Sequence, residues 1–252
     1  MIVLIMAGGL GSRMKSKIPK TLQLINHMPI IIHIITQLLT IKELNKIFVI
    51  VSPTNKILIN SIIKYYYPKL DVEFIVQTES NGTGHAILCS LQFIEKYKNE
   101  YCLILPGDVP LISRNTLNNI TRIKNNSMLI TKYSNPYGYG RIIFNNNFIS
   151  EIIEEKDCNE QQKLIKYVNG GIYYIQVNDL IEYIPRINNI NKANEYYLTD
   201  VIKIMNEYNK QINYYELEQC NQYELLNVNT PVDLSRANEI YNDIYKMNAL
   251  LL

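Results

Sequence analysis

Short apolar runs recur along the chain at Ile2–Met6, Ile47–Val51, Val72–Val76 and Tyr101–Leu105. Ile2–Met6, Ile47–Val51 and Tyr101–Leu105 have the length and the β-branched content of buried strands, and Val72–Val76 reads as a further strand. Between them the period changes. Met28–Leu39 puts Ile31, Ile34, Ile35 and Leu38 on one face, with Pro29 in the first turn, and so predicts a helix. Thr54–Tyr65, a segment opened by Gly82-Thr83-Gly84 and running to about Tyr97, and Ser113–Lys124 predict three more. Strands alternating with helices imply right-handed crossovers and a doubly wound, largely parallel α/β sheet. Such a sheet takes its ligand at the C-terminal ends of the strands.

The second half is less regular. Met128–Tyr133 predicts a strand, and Asn135–Ile143 a glycine-rich bend running into another. Ile149–Glu154 ends in a charged rim, Glu154-Glu155-Lys156-Asp157, and the hairpin so formed predicts a small β appendage over the sheet. Tyr167–Ile175 reads as a strand broken by Asn169-Gly170-Gly171, where mid-strand glycines indicate a bulge or a close ligand approach. Glu195–Asp200 is expected to begin a helix and Asn213–Leu217 to form a strand. Leu226–Pro231 leads to a last helix at about Val232–Met247. No internal repeat or linker divides the chain, so one domain is expected over residues 1–252.

Composition changes this picture mainly by exclusion. A net charge of +2 and a pI of about 8.2 are too mild for a nucleic-acid binder. Cys89, Cys102, Cys158 and Cys220 are scattered, with neither zinc-ligand spacing nor a disulfide framework, and a reducing, cytoplasmic compartment is expected. Neither a signal peptide nor a transmembrane run of about 20 apolar residues is present, so no membrane partner is expected. The heavy use of Ile, Asn, Lys and Tyr, with 20 Tyr and no Trp, reads as coding bias.

The candidate chemistry sits where the strands end. After Met6 comes Ala7-Gly8-Gly9, then Gly11, a turn whose backbone N–H groups can lie close to an anion. Arg13, Lys15, Lys17 and Lys20 follow and back that turn with mobile positive charge. The turn is neither a G-x-x-x-x-G-K-[ST] loop nor a dinucleotide fingerprint, since Met14 stands at the third glycine position. Gln77 and Gly82-Thr83 end the third strand with amide, hydroxyl and backbone donors suited to a base or a phosphate. Asp108, directly after the fourth strand, reads as a Mg²⁺ ligand, because one carboxylate beside a nucleotide suffices for that ion; the alternative is a cap for the helix near Ser113. His27, His33 and His85 read as structural, since none has a second ligand at metal spacing.

With Ala7–Arg13, Gly82–Ala86, Gly107–Leu111 and Asn229 in view, the chain resembles the sugar-1-phosphate nucleotidylyltransferases. More narrowly, it is similar to the uridylyltransferase half of the bacterial bifunctional enzymes that make UDP-N-acetylglucosamine. The resemblance rests on Gly-Thr-Gly-His-Ala, Gly-Asp-Val-Pro-Leu, Gly-Tyr-Gly-Arg, Glu-x-Lys-Asp and Glu-Tyr-Tyr-Leu-Thr-Asp in that order, across about residues 2–240. It implies a Rossmann-like sheet of the nucleotide-diphospho-sugar transferase type. The nucleotide part would lie in about 1–112, the sugar part in about 113–228, and the C-terminal helix in about 229–252. It also implies UMP transfer from UTP to N-acetylglucosamine 1-phosphate. Ala7, Gly8, Gly9, Gln77, Gly82 and Thr83 would hold the nucleotide, and Arg13 and Lys20 the phosphates at the reacting centre. Asp108 and Asn229 would hold Mg²⁺, and Gly140, Glu154, Asn169, Tyr197 and Thr199 the N-acetylated sugar.

Three departures accompany the resemblance. Pro106 precedes Gly107-Asp108 where an aromatic or aliphatic residue is more usual, and Gly170 replaces the usual Thr after Asn169. No acetyltransferase β-helix follows, so the trimer built by that domain is not expected. Two rival readings stand beside this one. The first is a uridylyltransferase for another sugar 1-phosphate. The second is a catalytically silent nucleotide-sugar sensor, which would be expected to lack Arg13, Lys20, Asp108 or Asn229.

Overall fold

The computed structural model describes residues 1–9 and 11–250, with backbone alone for 245–250. Leu251 and Leu252, the end of the expected C-terminal part, lie outside the described residues. The first half runs β1 (Ile2–Met6), β2 (Leu24–Ile25), β3 (Met28–Pro29), α1 (Ile30–Leu38), β4 (Lys46–Val51), α2 (Lys56–Tyr66) and β5 (Val72–Val76). Then come α3 (Thr83–Leu88), α4 (Leu91–Ile94), β6 (Tyr101–Pro106), α5 (Arg114–Thr121) and β7 (Ser127–Lys132). β8 (Arg141–Asn145), β9 (Phe148–Ile153), α6 (Glu160–Lys163), β10 (Tyr167–Gln176), α7 (Val177–Tyr183), α8 (Asp200–Glu207), β11 (Asn213–Glu216) and α9 (Pro231–Leu250) complete it.

The main sheet has the order β11-β7-β10-β6-β1-β4-β5. β1 pairs in parallel with β4 and β6, β4 with β5, and β7 with β11. Only β10 runs against its neighbours in this path, antiparallel to both β6 and β7. The sheet is therefore largely parallel and doubly wound, as the alternation of periods implies. Side chains of β1 show how the two faces are filled: Val3 and Ile5 pack with α1, α2, α5 and α9, while Ile2 and Leu4 pack with α3, α4, α7 and α8. All four are fully buried, which is why β1 reads as a continuous apolar run. The β8–β9 hairpin springs from β10 and forms the small β appendage. No described helix is long and apolar enough to cross a membrane.

Three expectations are corrected in detail. Pro29 does not lie in the first turn of α1. Met28–Pro29 pairs with Leu24–Ile25 around Asn26 and His27, both at positive φ (46° and 64°), and α1 begins at Ile30. Two successive positive φ values make a tight hairpin turn, which Asn tolerates and which the apolar period of the following residues hides. The segment Gly84–Tyr97 is not one helix but α3, α4 and a 3-10 turn, broken where the buried Ser90 hydroxyl donates to the Ile87 carbonyl at 2.6 Å. The helix expected to start at Glu195 starts at Asp200. Tyr196 instead donates to the Asn81 carbonyl at 2.8 Å and accepts from Gly84 N–H at 2.7 Å, so tertiary pairing overrides the local tendency.

The bulge expected at Asn169-Gly170-Gly171 is present as a register shift of β10 against β7 between Asn169 and Tyr173. A side chain at Gly170 would begin 2.7 Å from the Leu129 carbonyl oxygen, so the closely apposed backbone accounts for Gly where Thr is more usual. Across the same strand, the β10–β6 ladder stops at Tyr173 and Ile104. Pro106 lies beyond that last pair, where its missing N–H costs no ladder bond.

Candidate functional site

The first strand end is fixed by its neighbours. Ala7 N–H donates to the Ile50 carbonyl at 2.7 Å, Gly107 N–H to the Met6 carbonyl at 2.9 Å, and Gln77 N–H to the Val51 carbonyl at 2.8 Å. A buried Asn55, which sequence reasoning passed over as part of a helix start, donates to the Ala7 carbonyl at 2.9 Å and accepts from Ser52 N–H at 2.9 Å. These bonds bring the ends of β1, β5 and β6 to one edge. There Ala7, Gly8, Gly9, Gln77, Gly82 and Thr83 all border one cavity of about 270 Å³.

Gln77 is held rather than free. Its Oε1 lies 3.0 Å from where a Gly8 side chain would begin, and its Nε2 donates to the Gly82 carbonyl at 3.1 Å. Nε2 also lies 3.2 Å from His85 Nδ1, so His85 steadies a residue of the site. His33, by contrast, is a buried structural histidine whose Nε2 meets the Ile25 carbonyl at 2.8 Å; burial lowers its pKa. Gly82 has φ +103°, and a Cβ there would strike the Tyr196 backbone oxygen at 2.5 Å. Only glycine lets the 81–84 loop dock on 195–198, a docking completed by Leu198 N–H donating to Thr83 Oγ1 at 3.1 Å.

A second cavity, of about 260 Å³, adjoins the first and shares Met6, Thr83, Pro106 and Asp108 with it. Glu154, Asn169 and Thr199 line it, together with Asp108 and Asn229. Thr199 Oγ1 donates to Glu154 Oε1 at 2.9 Å. Burial raises the Glu154 pKa, the Thr199 bond opposes this, and the nearby charges of Asp200, Asp157 and Glu195 add to the rise. Asn169 is locked by its own bulge, accepting from Gly171 N–H at 2.8 Å and donating to Tyr173 Oη at 2.7 Å. Gly140 stands behind these residues: its carbonyl accepts from Asn169 N–H at 2.9 Å, and a Cβ on it would lie 3.5 Å from Glu154 Oε2. Its loop is braced by the buried Arg141, which pairs with Glu155 at 2.6 Å and donates to the Tyr139 carbonyl. Tyr197 is set apart from the lining of both cavities. Its hydroxyl faces Asp157, and burial with the charges of Asp157 and Glu154 raises its pKa.

Where the cavities meet, four residues from three segments converge. Arg13 and Lys20 sit on short 3-10 turns, Ser12–Met14 and Lys20–Leu22. The Lys20 ammonium donates to Asp108 Oδ2 and, at 2.9 Å, to Asn229 Oδ1, which also accepts from Arg13 Nη2 at 3.1 Å. Val228 N–H donates to the Asp108 carbonyl at 2.9 Å and ties the two oxygen-bearing segments together. Asp233, unremarked in the sequence, accepts from Asn229 N–H at 3.0 Å and Thr230 N–H at 2.8 Å, capping α9 while it fixes the Asn229 backbone. Ser113, not Asp108, caps α5, by accepting from Thr116 N–H at 3.2 Å. Asp108 and Asn229 thus present two hard oxygens to one cationic group, a donor set that also suits a small divalent cation. Among the described residues no three His, Cys, Asp or Glu side chains cluster as a metal site. A cation here would complete its shell with phosphate oxygens and water, as Mg²⁺ commonly does.

A family model described as nucleotidyl transferase matches residues 2–247. The chain is 41% identical over 239 residues to a probable UDP-N-acetylglucosamine pyrophosphorylase of Acanthamoeba polyphaga mimivirus, covering 92% of each. It is 35% identical to the bifunctional protein GlmU of Clostridium perfringens over 94% of this chain and 51% of that protein. The chain therefore spans about half the length of that bifunctional relative. Among solved structures, apo UDP-glucose pyrophosphorylase superposes with a TM-score of 0.75 at 16% identity, over 97% of this chain and 98% of that one, a likeness of fold.

Proposed function

The chain belongs to the nucleotidyl transferase family, and we infer that it transfers UMP from UTP to N-acetylglucosamine 1-phosphate, giving UDP-N-acetylglucosamine and pyrophosphate. The observation that carries this reading is the meeting of two cavities at Lys20, Asp108, Asn229 and Arg13. One compartment, edged by Ala7–Gly9, Gln77 and Gly82-Thr83, would take the base and ribose of UTP. The other, with Gly140, Glu154, Asn169 and Thr199, would take the sugar, with Tyr197 supporting its rim. The name of the mimivirus relative, a probable UDP-N-acetylglucosamine pyrophosphorylase, supports this reading.

The reaction asks little covalent chemistry of the protein. A phosphate oxygen of the sugar phosphate attacks the α-phosphorus of UTP, the α–β bridging bond breaks, and pyrophosphate leaves. The nucleophile is already anionic and needs no general base. Catalysis consists of holding two anions in line and offsetting their charge. Lys20 and Arg13 supply positive charge at the junction, and Asp108 and Asn229 would hold Mg²⁺. When bound, that ion neutralises phosphate charge and orients oxygens. The backbone bonds of Ala7, Gly107 and Gln77 keep the nucleotide wall in place without rearrangement.

Pyrophosphate release from UTP and Mg²⁺, measured with a panel of sugar 1-phosphates, tests the reading. N-acetylglucosamine 1-phosphate is expected to give the highest kcat/KM. Preference for a non-acetylated sugar would favour the rival uridylyltransferase, and UTP binding without turnover of any sugar would favour the silent sensor.

A further inference from the structure

The sugar compartment contains one polar group whose bonding the reaction has not accounted for. Asn169 is satisfied by Gly171 and Tyr173, Glu154 by Thr199, and Asn229 by Lys20 and Arg13. Asn227 lines the same cavity, yet its Oδ1 is buried with no hydrogen-bond partner. A buried carboxamide oxygen left unpaired is costly, and a turn of the partly exposed Asn227 side chain toward the cavity it lines gives that oxygen a donor on the substrate.

Its position narrows which donor. Asn227 and Asn229 flank Val228, whose side chain is fully buried and whose N–H is fixed to the Asp108 carbonyl at 2.9 Å. Both asparagines line the cavity, and Asn229 belongs to the cluster at the phosphate end. Asn227 therefore borders the part of the sugar next to the carbon that bears phosphate. Resting on the reaction proposed above, we propose that Asn227 Oδ1 accepts a hydrogen bond from the substituent at sugar C2. In N-acetylglucosamine 1-phosphate that donor is the acetamido N–H. Asn227 is thus a specificity residue for an amide-bearing hexose 1-phosphate.

A cycle that changes residue and substrate together tests this. kcat/KM is measured for wild type and Asn227→Ala with N-acetylglucosamine 1-phosphate and with 2-deoxyglucose 1-phosphate, which has no donor at C2. The substitution is expected to cost about tenfold with the acetamido sugar, the worth of one hydrogen bond, and less than about twofold with the deoxy sugar. The KM for UTP should not change, which separates substrate recognition from a folding defect. Equal losses with both sugars, or a shifted KM for UTP, would overturn the inference while leaving the reaction intact. A wild-type protein that releases no pyrophosphate with any sugar 1-phosphate would overturn both.

Discussion

At the residue scale, the junction cluster concentrates the chemistry. Lys20 holds Asp108 and Asn229 at once, so its removal strips one positive charge from the place where the proposed reaction would bring two polyanions together. Loss of such a preorganised charge contact costs about 3–4 kcal/mol of barrier, roughly 10²–10³ in rate. Lys20→Ala and Asp108→Ala should each lower kcat by that order. The Lys20–Asp108 pair is mostly buried, so removing one partner leaves the other charge uncompensated and should also lower the melting midpoint; kcat is therefore compared well below that midpoint. Near-normal kcat in either variant would remove the cluster from the reaction. Arg13, Lys20 and Asp108 were legible because they follow a glycine turn or a strand end, whereas Asn229 was singled out only by the resemblance. Asn55, Asp233 and Asn227 were not legible. Each is a polar residue in a segment that reads as an ordinary turn or helix cap, and only the folded chain shows that Asn55 reaches the Ala7 carbonyl and that Asn227 lines a cavity.

Elements were legible wherever a period is sustained, and β1, β4, β5 and β6 are cases in point. The exceptions share one cause: contacts distant in sequence. The 195–199 stretch gives up a helical start because Asn81 and Gly84 offer backbone partners. The consequence for α8 is that Asp200 opens it from a half-buried position beside Asp157, with burial first and then Asp157 raising its pKa to about 6 from an ordinary 3.8. A carboxyl that holds its proton more tightly when folded favours folding at low pH. That contribution is complete below about 3.8 and is lost as pH rises through about 6. Asp200→Asn should therefore gain stability relative to wild type as pH is raised from 4 to 7, measured by chemical denaturation at each pH. A difference independent of pH would place the Asp200 carboxyl in an unperturbed environment.

Over the whole molecule, the sheet order explains why one cleft has two compartments. The parallel strands β5, β4, β1 and β6 end together and build the wall of the first cavity, whereas β10 enters antiparallel beside β6 and carries its bulge to the wall of the second. Asp108, just after β6, stands at the border and lines both cavities. The alternation of periods implied this architecture, and the motifs lie on loops that border the two cavities. What the sequence could not supply was the pairing of the 81–84 and 195–198 segments, because neither carries a signal for the other.

The central claim, that this junction joins UMP to an amino-sugar phosphate, is tested most directly by incubating the protein with UTP, Mg²⁺ and N-acetylglucosamine 1-phosphate and quantifying both products. The account predicts pyrophosphate and UDP-N-acetylglucosamine in equal amounts, with neither formed when the sugar phosphate is left out. Pyrophosphate released without the sugar phosphate, or no nucleotide sugar formed with it, would contradict the account.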